Sequence, residues 1–209
     1  MESYDIEGAI EGILFVSGEP VRISRIVDVL GVDETAVEDA ARRLGDKLSF
    51  ERRGMRLVRL DGALQLCSSP EYADYIRRAL EKRKPPQLSP PALEVLAIVA
   101  YFQPVTKAYI EQIRGVDSSY TVGLLAERGF IESCGRLAVP GRPMLYRTTY
   151  VFLRTFGMAS LNELPILPQV EDTGSKESIQ TAILALKSRE ESNRETEAAP
   201  GSALEREEE

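Results

Sequence analysis

At 209 residues the chain has room for two small domains or one of medium size. Its composition, 43% hydrophobic and 28% charged, is ordinary for a globular protein, and no apolar run approaches the roughly 20 residues that span a bilayer. Histidine is absent, which removes Ser-His triads, the commonest general base and most zinc sites together.

Cys67 and Cys134 make neither a metal spacing nor a redox motif, and no glycine-rich phosphate loop is present. No catalytic, cofactor-binding or metal-ligating set is therefore legible. The opening Met1-Glu2-Ser3-Tyr4-Asp5 is acidic and lacks the basic region of a secretory signal, so a cytoplasmic location is expected. The net charge is −7, and most of it lies late in the chain. From Glu171 onward there are eleven acidic and five basic residues, which leaves the rest of the chain close to neutral. Neither part carries the basic footprint of a nucleic-acid binder.

Ile6, Ala9, Ile10, Ile13 and Leu14 recur at helical spacing and predict a helix over 5–17, ended by Gly18-Glu19-Pro20. Ile23, Ile26, Val27 and Leu30 predict a second short helix closed by Gly31. Asp33 is an expected N-cap for a third, from Glu34 to about Leu48. Short strands are expected at Phe50–Arg53, Met55–Leu60 and Leu64–Ser68, with Asp61-Gly62 as a turn signal. Pro70 opens a further helix to about Arg83, with Tyr72, Tyr75, Ile76 and Leu80 on one face. Lys84-Pro85-Pro86-Gln87 then denies both helix and ladder hydrogen bonds and reads as a boundary.

Leu88 to Pro165 reads as a complete small domain. Ser89 is placed to cap its first helix, with Pro90 at the favoured first helical position. The apolar block Leu93–Phe102 is broken at Pro104. A second helix ends at Arg114-Gly115 and a third at Arg128-Gly129. A hairpin runs from Phe130–Gly135 to Met144–Arg147. Pro140-Gly141-Arg142-Pro143 between its strands reads as a rigid turn, with a recognition loop as the alternative. Three helices followed by a hairpin suggest a winged helix.

The two halves share a register. Adding 84 to the residue number maps Pro20-Val21 onto Pro104-Val105, Ile26 onto Ile110, and Gly31-Val32-Asp33 onto Gly115-Val116-Asp117. The same helix-turn-helix is thus expected twice. The predicted fold is mostly α with small β wings (α+β): a winged-helix domain at 1–84, a linker at 85–87 and a second winged helix at 88–168. A tail at 169–209 follows. In it, Ile179, Ala182, Ile183 and Leu186 form an apolar stripe for a short amphipathic helix near 176–188, with disorder expected elsewhere. That stripe is too short to be stable alone, so it docks on this chain or a dimer mate, or binds a partner.

A winged helix invites a DNA reading, which the charges oppose. The third helix of the first domain, counted with its N-cap Asp33, holds five acids against three bases, and that of the second carries Glu127 and Arg128 with Asp117 just before it. Phosphate contact through either is unfavourable, so direct DNA contact is expected to be weak or absent. The wing does offer Arg136 and Arg142, which leaves weak non-specific contact as a minor reading. Leu93–Phe102, interrupted only by Glu94, is apolar all round and so buried on more than one side, with Tyr101 and Phe102 as candidate anchors for a protein partner. A DNA-binding regulator is the alternative reading.

Several ordered motifs together resemble the segregation and condensation protein B family. They are Leu14-Phe15-Val16-Ser17-Gly18-Glu19-Pro20, Leu96-Ala97-Ile98-Val99-Ala100-Tyr101, Gln103-Pro104-Val105-Thr106, Ile113-Arg114-Gly115-Val116-Asp117-Ser118, Glu127-Arg128-Gly129 and Val139-Pro140-Gly141-Arg142-Pro143. The resemblance covers roughly Ile6 to Pro168 and implies a non-enzymatic subunit of a condensin-like complex. It implies two winged-helix domains, a homodimer formed mainly by the first, and binding of the kleisin subunit, segregation and condensation protein A, by the second. The kleisin in turn bridges the heads of the structural-maintenance-of-chromosomes (SMC) ATPase. On this reading the candidate dimerisation residues are Ile6, Ile10, Ile13 and Leu14. The candidate kleisin-binding residues are Leu93, Ile98, Tyr101, Phe102, Tyr109 and Arg142.

Overall fold

The computed structural model describes residues 3–80, 87–166 and eight positions between 183 and 193. They form two compact units, with the positions between 183 and 193 belonging to the second. No helix among the described residues is long and apolar enough to cross a membrane.

The first unit opens with α1 (Ser3–Ser17), followed by β1 (Val21–Arg22), α2 (Ile23–Leu30) and α3 (Glu34–Phe50). One stripe of α1, Ile6, Ile10 and Leu14, turns inward onto Ile23 and Ile26 of α2 and Val37, Ala40, Ala41, Leu44 and Leu48 of α3. These positions share a helix face by their three- and four-residue spacing, and their burial supplies the unit's apolar stabilisation. The hairpin β2 (Met55–Leu60) and β3 (Ala63–Ser68) closes the unit. β3 is the central strand, antiparallel to β1 and β2, with Val21 opposite Leu64 and Met55 opposite Ser68. Asp61 and Gly62 both have positive φ, the geometry a tight two-residue hairpin turn demands. A 3₁₀ turn at Pro70–Tyr72 leads into α4 (Ala73–Ala79), none of whose residues is buried.

The second unit repeats the plan. It runs α5 (Pro90–Phe102), β4 (Val105–Thr106), α6 (Lys107–Arg114), α7 (Ser119–Glu127), β5 (Ile131–Arg136), β6 (Met144–Thr148) and α8 (Tyr150–Thr155). The sheet order β4-β6-β5 matches β1-β3-β2. The register read from sequence holds at element boundaries: Val21 corresponds to Val105, Ile23 to Lys107 and Leu30 to Arg114. Gly31 and Gly115 cap α2 and α6 in the left-handed region, with φ of 64° and 72°. Each turns the chain from one helix to the next where a Cβ is strained.

α5 is the centre of the second unit. Eight of its thirteen residues are buried, so it is enclosed rather than laid on a surface. It packs against α6, α7 and β6. Arg114 of α6 ties these helices together. Its Nε and Nη2 donate to Glu94 Oε2 of α5 at 3.1 and 3.0 Å, and its Nη1 donates to Ser118 Oγ at 2.6 Å. Gln103 Oε1 accepts from the Thr148 amide at 2.7 Å, fixing the end of α5 to β6. Phe152 and Phe156, ring centroids 4.9 Å apart, fill the space beneath α8.

Several local expectations are corrected. Phe50–Arg53 is not a strand: α3 continues through Phe50, which is 91% exposed. Arg52 then takes positive φ, so that Arg53 N donates back to Leu48 O and closes the helix. Asp33 and Ser89 occupy N-cap positions but make no side-chain cap bond. Thr106 and Thr149 do cap, accepting from Tyr109 N and Val151 N. The helix after Pro70 begins as a 3₁₀ turn, and its expected continuation past Leu80 lies outside the described residues.

The enclosure of α5 makes truncation of the fully buried Leu96 costly. Leu96→Ala is expected to cost about 3 kcal/mol of unfolding free energy in urea denaturation, against little change for the exposed Glu127→Ala. Asp117 gives a pH test. Its carboxylate accepts from Ser119 N at 2.7 Å at the start of α7. That amide, with the Ser119 hydroxyl and the nearby Lys107 cation, holds its pKa below the usual carboxylate range. A depressed folded-state pKa contributes stability above the unfolded value of about 3.9 and loses it as pH falls through the lowered value. The stability difference between wild type and Asp117→Ala, measured by urea denaturation at pH 6 and pH 3, should therefore shrink at the lower pH.

Candidate functional site

The residues singled out from sequence separate into buried and surface groups. Leu93 and Ile98 are 3% and 0% exposed, so they belong to the core of the second unit and present nothing to a partner. On an all-apolar helix no polar face marks which side is covered, so sequence spacing could not separate them from Phe102. Ile6, Ile10 and Leu14 are likewise core residues of the first unit, and Ile13 is half-buried. The apolar side chains α1 leaves outside are Phe15 and Val16, 70% and 84% exposed. Gly8 and Gly12 of the same helix have open space where a Cβ would stand. The inward stripe at 6, 10 and 14 already implied that 15 and 16 lie off it, and this was the signal for them.

Tyr101 and Phe102 are neighbours in sequence but face different surroundings, because successive helix residues are about 100° apart. Phe102 packs edge-on against Tyr109 of α6, ring centroids 6.0 Å apart at 64°. Tyr109 is 37% exposed, so the pair forms an accessible aromatic step at the C-terminal end of α5. Val116 in the following turn and Tyr120 in the first turn of α7 are 54% and 81% exposed. Tyr120 falls within the third helix expected from sequence but is not among the candidate residues. Tyr101 instead directs its hydroxyl to Pro165 O at 2.8 Å. Burial pushes that hydroxyl's pKa up, partly opposed by the Arg189 cation.

The outer positions of α7, namely Ser119, Tyr120, Gly123, Ala126 and Glu127, are exposed and include no cation. The cations around them are engaged. Lys107 Nζ donates to Ser119 Oγ at 2.8 Å and lies 3.8 Å from Glu111. Arg128 stands over the Phe130 ring at 5.3 Å. In the wing, Arg147 pairs with Glu132, and Arg136 Nη1 donates to Arg142 O at 3.1 Å. Arg142 is exposed on left-handed backbone in a turn closed by its own amide donating to Val139 O, so 140–143 is a built turn. An exposed helix face carrying tyrosine and small residues suits packing against another polypeptide far better than phosphate. Among the described residues no group of three or more Cys, Asp or Glu is arranged to hold a metal ion.

Comparison with known proteins identifies the family. The family model of segregation and condensation complex subunit ScpB matches residues 8–167. The chain is 42% identical over 167 residues to segregation and condensation protein B of Ruminiclostridium cellulolyticum, covering 80% of this chain and 88% of that protein. It resembles the crystal structure of ScpB from Mycobacterium tuberculosis at 26% identity, covering 76% of this chain and 98% of that one with a TM-score of 0.38. It also resembles the crystal structure of a dimer of the ScpB N-terminal domain complexed with ScpA peptide, at 30% identity over 35% of this chain and 91% of that one, TM-score 0.34. With most of its length matched at this identity, the chain belongs to the family of the segregation and condensation complex subunit ScpB.

Proposed function

We propose that this chain is a non-enzymatic subunit of a condensin-like complex that dimerises through its first unit and binds the kleisin, segregation and condensation protein A, through its second. It thereby supports chromosome condensation and segregation in the cytoplasm, with the SMC ATPase reached through the kleisin. The observation that carries the binding site is the surface of the second helix-turn-helix. It offers the Phe102–Tyr109 step, Val116 and Tyr120 where a DNA reader offers cations. Aromatic side chains of this kind anchor protein interfaces because they cover large area with few rotatable bonds.

For the first unit, the exposed Phe15 and Val16 supply the apolar surface that a second copy would cover, beside the open Gly8 and Gly12 positions that permit close backbone approach. A dimer presents two grips to one kleisin, so the second contact forms at high effective concentration and each grip needs only modest affinity.

Two measurements test this reading. Tyr109→Ala with Tyr120→Ala should weaken binding of a kleisin fragment by about tenfold or more in isothermal titration while the thermal unfolding midpoint stays near wild type. Unchanged affinity in the folded double variant removes the second-unit grip. Light scattering of the wild type should give the mass of two protomers, falling to one for Phe15→Asp with Val16→Asp. A dimeric mass for that variant would place the interface elsewhere.

A further inference from the structure

The matched family region ends at residue 167, yet described positions beyond it pack on the second unit. Residues 183, 184, 186, 188, 189 and 191–193 are helical. Of these, Ile183, Leu186, Arg189 and Asn193 fall on one face by their spacing. Ile183 and Leu186 are 4% and 0% exposed, whereas Leu184, off that face, is 56% exposed. Arg189 Nη2 donates to Glu163 O at 2.7 Å, and its Nη1 lies 3.7 Å from the Glu163 carboxylate. Asn193 Nδ2 donates to Arg154 O and Thr155 O at 3.2 and 3.0 Å. These carbonyls end α8; Arg154 O also accepts from Gly157 N at 3.3 Å, and the Asn193 amide adds a further donor there from elsewhere in the chain. Gly157 makes room for it: a Cβ there would stand 3.0 Å from Asn193 Oδ1. Helical positions thus continue to Asn193, past the Lys187 beyond which disorder was expected, because Arg189 and Asn193 find fixed polar partners.

We propose that the face formed by Tyr101, the end of α8 and the turn through Glu163 and Pro165 is a docking site for an amphipathic helix carrying two apolar anchors, then an arginine, then an amide. This chain's own 183–193 segment is its resident occupant, a latch that closes the face to any other helix of that pattern. Ile183, Leu186, Arg189 and Asn193 are held on this face by burial and by hydrogen bonds. The segment's hold rests on being tethered, which makes the contact exchangeable rather than permanent. The inference is independent of kleisin binding by the α6–α7 surface.

Two full-length variants test it. A Cβ placed at Gly157 lies 3.6 Å from Asn193 Cβ, within the roughly 3.5–4.5 Å of a disulfide. Gly157→Cys with Asn193→Cys, on a Cys67→Ser and Cys134→Ser background, should form an intrachain disulfide on oxidation. The oxidised protein should then fail to bind a fluorescent peptide of residues 179–194. In the second variant, Leu186→Asp loosens the latch, and the same peptide should bind it about tenfold or more tightly than it binds wild type. An interchain disulfide, no disulfide in a folded variant, or equal or absent peptide binding to wild type and Leu186→Asp would each overturn the latch. Cysteine at the positive φ of Gly157 is strained, so if that variant does not fold the peptide comparison decides alone.

Discussion

A helix that is apolar around its whole circumference has to be enclosed, and in the second unit everything else follows from enclosing α5. Water is excluded from it on one side by α6 and α7 and on another by β6. The one carboxylate in its apolar run, Glu94, is met by Arg114, whose side chain is only 9% exposed. A guanidinium removed from water that far is stabilised only by fixed acceptors, and Glu94 and Ser118 supply them. Three helices are thereby held in one arrangement, and the surface left over is the outer side of the helix-turn-helix.

The two units show one plan with different surfaces. Strand order, helix-turn-helix boundaries and the left-handed glycine between the helices coincide at a constant offset. The difference lies in what each helix leaves outside. α1 buries one stripe and exposes Phe15 and Val16 at its end, whereas α5 buries most of its circumference, with Phe102 half-buried at its C-terminal end. The corresponding third helices differ in length, seventeen residues in α3 and nine in α7. The shorter one is followed at once by the wing, so the surface of the second module is compact and built from few residues. The positions from 183 to 193 belong to this module alone among the described residues.

Electrostatics shape the surface of the second unit as well. The cations near α7 are committed to neighbours: Lys107 to Ser119 and Glu111, Arg128 to the Phe130 ring, and Arg147 to Glu132. A phosphate backbone binds where uncompensated cations release counterions, and those contacts within the protein offset much of that gain. The acidic tail adds no attraction. What remains on the helix-turn-helix is shape and apolar area, which is what a folded or folding polypeptide reads.

Local spacing determined most helices, the hairpin turns and the repeat of the module, through residues such as Gly31, Gly115 and Asp61-Gly62 whose backbone demands are local; it missed the short α8 and the last turn of α3. The absence of a basic reading helix was equally legible, since charge does not depend on packing. Sequence could not divide Leu93, Ile98, Tyr101 and Phe102 into core and surface. On a helix with no polar stripe, that division is made by whichever neighbours arrive: Phe102 meets Tyr109, and Tyr101 meets Pro165 and the neighbourhood of Arg189. Nor could it separate the inward Ile6, Ile10 and Leu14 from a dimer face, because burial within a protomer and burial between protomers ask for the same residues. The seat of the 183–193 segment was decided by tertiary structure entirely. Its polar partners Arg154, Thr155 and Glu163 lie tens of residues away in sequence, and only the fold brings the carbonyls ending α8 within reach of Asn193.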